Sequence, residues 1–149
     1  MILTADTNVL IYAQDPAAEI KESLAAQVMT ALAAGRHPIG LQAIGEFQSA
    51  LRRRLKVPLW KAAGLGRDLL TTYPHFPHTA SAVADALDDM EAGRLSYWDA
   101  LLVRSAAEHG CTAMFSEDMQ DGSRLAGVEI VNPFGATGLS DRARELLTL

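Results

Sequence analysis

Three apolar runs of four or five residues, at positions 1–5, 111–115 and 128–131, are separated by long stretches with helical periodicity. Runs this short and this apolar read as buried strands. A fourth short run, residues 37–41, reads the same way. Between them, residues 17–34 form an alanine-rich helix opened by Pro16 and expected to end at Gly35 in the C′ position that glycine favours. Over residues 42–56, Ile44, Phe47, Leu51 and Leu55 recur at spacings of three and four, which makes one apolar stripe on a helix. Pro58 stops that helix and begins another, to about Tyr73. Pro74 and Pro77 bracket an extended stretch, residues 79–92 are helical up to Gly93, and residues 96–109 form a helix from Ser96 to Gly110. Strands alternating with helices predict an α/β fold with a parallel sheet.

With 149 residues, 49% of them hydrophobic, the chain can bury one core without staples. The lone Cys111 cannot pair within the chain and, in its apolar run, reads as a small buried hydrophobe. No window approaches the ~18 uncharged residues of a membrane span, and the first residues lack a secretory pattern, so a cytoplasmic protein with no membrane contact is expected. The net charge of −5 argues against holding nucleic acid by bulk electrostatics, so any such attraction must be local. Arg52, Arg53, Arg54 and Lys56 form the one dense basic stretch. Of these Arg53, seven residues after Glu46 and about 20° from it around the helix, is placed to hold a phosphate.

Two acids stand where apolar strands end: Asp6 after residues 1–5, and Asp118 just beyond Phe115. In open α/β sheets the carboxyl ends of the strands line the binding crevice. Either acid alone could simply cap a turn. Asp99 heads a helical stripe of Leu102, Val103 and Ala106, and a carboxylate facing a core needs a partner or a cation. Its plainer role is the capping-box partner of Ser96. Glu46 lies about 160° from the Ile44 stripe and, alone, reads as a surface charge. Glu117 and Asp121 fall in an acid-rich loop before Gly122, a common solvated turn. As a set, such carboxylates repel unless neutralised. All-oxygen ligation favours Mg²⁺ or Mn²⁺ over Zn²⁺, and the four histidines show no ligand spacing.

The segments DTNVLIYA (residues 6–13), IGEF around Glu46, LSYWDALLVRSAAEHGC around Asp99, FSEDMQDG around Asp118 and VNPF (residues 131–134) resemble, in order and spacing, the motifs of PIN-domain ribonucleases of the VapC type. The resemblance implies a three-layer α/β/α fold with a short parallel sheet over residues 1–134, and an acidic pocket for Mg²⁺ or Mn²⁺. It places Asp6, Glu46, Asp99 and Asp118 as the catalytic quartet, with Asp6, Asp99 and Asp118 as metal ligands. Asp121 matches an additional acid, and Asn8 and Ser116 match supporting polar residues. The activity implied is endonucleolytic cleavage of structured RNA, of the tRNA or rRNA class, by a metal-activated water. The partners implied are a cognate antitoxin and a second copy in a homodimer.

Other readings fit less well. A haloacid-dehalogenase-type phosphohydrolase wants Asp-x-Asp, and here the second position is Asn8. A receiver domain needs a lysine late in the chain, but the lysines are Lys21, Lys56 and Lys61. A PIN scaffold that binds RNA or protein without cutting stays open. Residues 135–149 read as a flexible joint at 135–138 and a short helical tail. Ala143, Leu146 and Leu147 share one face of that tail, which favours its docking on this domain, a dimer mate or an antitoxin.

Overall fold

The computed structural model describes residues 1–149. Its central sheet has four strands in the order β1 (Ile2–Ala5), β4 (Cys111–Phe115), β6 (Val128–Val131) and β5 (Arg124–Leu125). The first three are parallel, and β5 runs antiparallel to β6 at the edge. Leu3, Thr4 and Ala5 are all buried, as are Ala113, Met114 and Phe115. Side chains alternate across a strand, so consecutive burial means that both faces of the sheet are covered. This is the α/β architecture expected, with a short and mostly parallel sheet.

The helices are α1 (Thr7–Tyr12), α2 (Ile20–Ala34), α3 (Leu41–Arg54), α4 (Leu59–Thr72), α5 (Ala80–Glu91), α6 (Tyr97–Glu108) and α7 (Asp141–Leu147). α6 packs on β4 and β6, α2 on β1, and α1 bridges α2 and α3. The α3 stripe behaves as its spacing predicts: Ile44, Phe47 and Leu51 are buried and Leu55 is half-buried. The extended stretch between the two prolines becomes β3 (His75–Phe76), which pairs in parallel with β2 (Ile39–Gly40) as a separate two-stranded sheet. Gly40 permits a close approach there, since a Cβ would sit 2.9 Å from Leu102 Cδ1 and 3.0 Å from Phe76 Cε2.

Several local expectations are corrected. The helix expected from residue 17 starts at Ile20, because Pro16–Ala18 make a separate 3-10 turn and Glu19 sits at φ 56. Its left-handed closing residue is Arg36, at φ 55, while Gly35 keeps helical angles. His37 N–H then donates to the Leu32 carbonyl and Arg36 N–H to that of Ala33, closing the Schellman pattern. Gly35 is needed for space: a Cβ would lie 2.6 Å from the His37 ring. The β5 strand was not anticipated. It is turned into β6 by Ala126 and Gly127, at φ 52 and 80, the two left-handed residues a tight hairpin requires.

Residues 135–149 do not form a loose appendage. Gly135 N–H donates to the Gly138 carbonyl, Ser140 N–H to that of Pro133, and Ser140 Oγ to that of Asn132. Ala143, Leu146 and Leu147 belong to the same buried cluster as the sheet, and Arg142 makes a two-pronged ion pair with Glu129 of β6. The tail's apolar face therefore docks on its own domain.

Candidate active site

Ala5 and Phe115 are opposite one another in the β1–β4 ladder, so the residues that follow, Asp6 and Ser116, emerge side by side at the carboxyl end of the sheet. Asp6 N–H donates to the Phe115 carbonyl at 2.8 Å, and Ser116 N–H to that of Val131 at 3.0 Å. Asp6 is extended and caps α1, its Oδ1 accepting the Thr7 N–H at 2.7 Å. Its Oδ2 accepts the Ser116 hydroxyl at 2.8 Å and Asn8 Nδ2 at 3.1 Å. Asn8 Oδ1 in turn accepts the Glu117 N–H at 3.3 Å. Oδ1 thus takes up the capping role, while Oδ2 is turned toward Ser116 and Asn8.

Asp6 is only 6% exposed, and burial pushes its carboxyl up to about 6. The charges of Asp99 and Asp118 add to the rise, against the Ser116 hydroxyl and the Thr7 N–H. Asp99 sits in the first turn of α6, whose cap is Ser96: the Ser96 hydroxyl accepts the Asp99 N–H at 3.4 Å. The Asp99 carboxylate accepts no bond from the Ser96 backbone N–H, so the reciprocal half of a capping box is missing. It is raised above the usual carboxylate range by burial, against the Ser96 hydrogen bond and with the Asp118 charge. The negative charge of Asp118 thus disfavours ionisation of both Asp6 and Asp99.

These acids meet at one cavity of ≈ 320 Å³. Asp6, Glu46, Asp99 and Asp118 line it together with Asn8, and Arg53 and Arg54 stand on its α3 side. Glu46 is exposed, as its angle on α3 requires, but it faces this cavity. Gln42, one turn earlier, donates through Nε2 to Glu46 Oε1 at 2.8 Å and to the Trp98 carbonyl at 2.9 Å. That amide ties α3 to the start of α6 and fixes the Glu46 carboxylate beside Asp99.

Two acids stand apart from the cavity. Asp121 is exposed, does not line it, and accepts the Asn132 N–H through Oδ1 at 2.8 Å, which pins the loop after β6. Glu117 accepts the Tyr12 hydroxyl and pairs with Lys21, both at 2.6 Å. Ser116 does not line the cavity either and acts from behind Asp6. The sequence reading missed Gln42 and Arg54. A glutamine one helical turn before Glu46 was a usable signal, and so was the angle of Arg54, about 80° from Glu46 around the helix where Arg52 lies about 120° to the other side.

No three acids, histidines or cysteines are packed tightly enough to make a closed metal cage. The donors suit an ion that retains several waters and takes one or two carboxylates, the habit of Mg²⁺. Thr7 adds a buried hydroxyl with no protein partner, on a residue lining the same cavity. Mutually repelling carboxylates and an orphaned hydroxyl fit a hard divalent cation.

No family model and no curated protein matches the sequence itself. Solved structures do match. VapC20 of Mycobacterium tuberculosis, a sarcin-ricin loop cleaving toxin, aligns over 78% of this chain and 89% of its own, with 17% identity and a TM-score of 0.62. A chain of the VapBC2 complex of Rickettsia felis, bound to a DNA fragment from its promoter, aligns over 87% of this chain and 97% of its own, with 14% identity and a TM-score of 0.62. At such identities the likeness is one of fold: this chain shares the fold of these VapC proteins.

Proposed function

We propose that this chain is a Mg²⁺- or Mn²⁺-dependent endoribonuclease, the toxin of a VapBC-type pair, cutting structured RNA of the tRNA or rRNA class. One observation carries the reading: Asp6, nearly buried and held at about 6, shares a cavity with Asp99, Asp118 and Glu46. Such an arrangement costs the folded chain stability that a bound cation would offset, which supports the acids as a cation site. A scaffold that only binds RNA leaves that cost unexplained.

Asp6, Asp99 and Asp118 would hold the ion in part through the waters it retains, with Asp6 oriented by Ser116 and Asn8. When bound, Mg²⁺ or Mn²⁺ supplies an acidified water as nucleophile and stabilises the leaving 3′ oxygen. Glu46, fixed by Gln42, is placed to accept a proton from water entering the cavity. Arg53 and Arg54 carry the opposite charge on the facing wall and hold the phosphodiester against the acids. The sarcin-ricin loop cleaved by the similar mycobacterial toxin supports a structured RNA as substrate, and the VapBC2 complex supports an antitoxin as partner. A homodimer acting in the cytoplasm completes the proposal. No helix is long and apolar enough to cross a membrane.

The test is cleavage of structured RNA with Mn²⁺ present or chelated. Wild type cuts only with metal, and Asp99→Asn reduces the rate at least a hundredfold while keeping its helical circular dichroism. Equal rates in the variant, or cleavage indifferent to chelation, would overturn the assignment.

A further inference from the structure

A second cavity, of ≈ 500 Å³, adjoins the acidic one and shares Ser49 and Arg53 with it. Its remaining lining is Arg52, Lys56, Val57 and Leu59, two cations and two apolar side chains at the junction of α3 and α4. We propose that this groove holds the RNA nucleotides flanking the cleaved phosphodiester, with phosphates on Arg52, Arg53 and Lys56 and a base against Val57 and Leu59. The strand register rests on the nuclease reading above, whereas the groove's affinity for RNA can be measured apart from it.

Three observations converge on this ligand. The ion pairs of the chain use Lys21, Arg94, Arg104, Arg124, Arg142 and Arg144. The groove's cations pair with none of the 18 acids of a net-negative protein, so their charge is free for an anion. Arg53 is pre-oriented, its Nε donating to Ser49 Oγ at 3.2 Å, which leaves the terminal nitrogens of its guanidinium for a phosphate at the boundary of the two cavities. Lys56 occupies a left-handed position at φ 56, where glycine is cheaper, although its Nζ also caps the Arg53 carbonyl at 3.1 Å. Lys56 stands just past the end of α3, so the groove carries the line of cations on from Arg53, away from the acidic cavity.

The test uses the full chain and a short single-stranded RNA, binding being followed by fluorescence anisotropy in EDTA across a salt series. The double variant Arg52→Ala/Lys56→Gly is compared with Arg67→Ala/Arg36→Gly, which removes the same charge and relieves the same kind of left-handed residue, Arg36 at φ 55, away from both cavities. The groove variant binds at least tenfold more weakly, and its salt slope is shallower by about 1.4, the value for two phosphate contacts on a single strand. Its Tm does not fall below wild type, because the glycine removes backbone strain. Leu59→Ser weakens binding of the RNA but not of an abasic strand of the same length. An equal change in the control variant would show bulk electrostatics and overturn the proposal. So would an unchanged slope in the groove variant. Wild type that binds as described but never cuts would sink the nuclease reading and leave the groove standing. Cleavage together with an unchanged slope in the groove variant would do the reverse.

Discussion

Replacing Asp6 with asparagine should make the metal-free protein more stable, and only at neutral pH. The carboxyl is held at about 6 against an ordinary 3.8, so the folded state grips its proton more tightly than the unfolded chain does. Stability therefore falls as pH rises through that window, and the whole penalty is present above it. At about 1.36 kcal/mol per pH unit the penalty approaches ~3 kcal/mol near pH 7.5 and is only about 1 kcal/mol near pH 4.5. The amide keeps an acceptor for the Thr7 N–H but sets its NH₂ at the Oδ2 position against both Asn8 Nδ2 and the Ser116 hydroxyl, of which only the hydroxyl can turn to accept, which costs about 1 kcal/mol at any pH. The net gain is then about 2 kcal/mol near pH 7.5 and about zero near pH 4.5. For a chain of this length that is a Tm rise of roughly 4–8 °C at the higher pH alone. Thermal unfolding in EDTA at both pH values measures it. Adding Mn²⁺ should raise the wild-type Tm by mass action and leave the variant nearly unmoved. A variant no more stable than wild type at neutral pH, or a difference indifferent to pH, would refute the account of Asp6 as a carboxylate kept charged for a cation.

Other perturbations test the frame around the site. Asp89 is fully buried and accepts from Arg104 at 2.7 and 2.8 Å and from Arg94 at 3.1 Å. Asp89→Ala should cost about 3 kcal/mol in urea unfolding by stranding Arg104 between α5 and α6. The Arg104 hydrogen bonds hold the Asp89 carboxyl below its usual range, so its stabilisation persists at neutral pH and disappears only as pH falls through that lowered value. Deleting residues 140–149 strips Leu146 and Leu147 from the core and should cost about 4 kcal/mol, read as a large drop in Tm; an unchanged Tm would mean that the tail does not dock as described. Gln42→Leu should keep Tm within a few degrees yet slow cleavage about tenfold by releasing Glu46, and a rate equal to wild type would remove Gln42 from the positioning role.

The sequence alone specified whatever depends on neighbours a few residues apart. Period and caps placed α3, α5 and α6, and Ser96 and Gly93 act where their chemistry predicts, because a helix end is satisfied within its own turn. Asp6 and Asp99 were legible for the same reason, one closing an apolar strand and the other heading an apolar stripe. Tertiary structure alone decided which of several similar residues reach the cavity. Asp121 and Glu117 look like Asp118 in the sequence, but one is spent on the Asn132 N–H and the other on Tyr12 and Lys21. Arg54 and Arg52 point to different sides of α3, but that one side is the acidic cavity and the other the groove beside it was decided by what packs against the helix. The tail could have covered a partner as readily as its own core, and the choice was made by Glu129 on β6 and the apolar surface around it. Such choices hang on contacts between segments a hundred residues apart, such as Ser116 on Asp6, and no local pattern encodes the angle at which two strands deliver their ends.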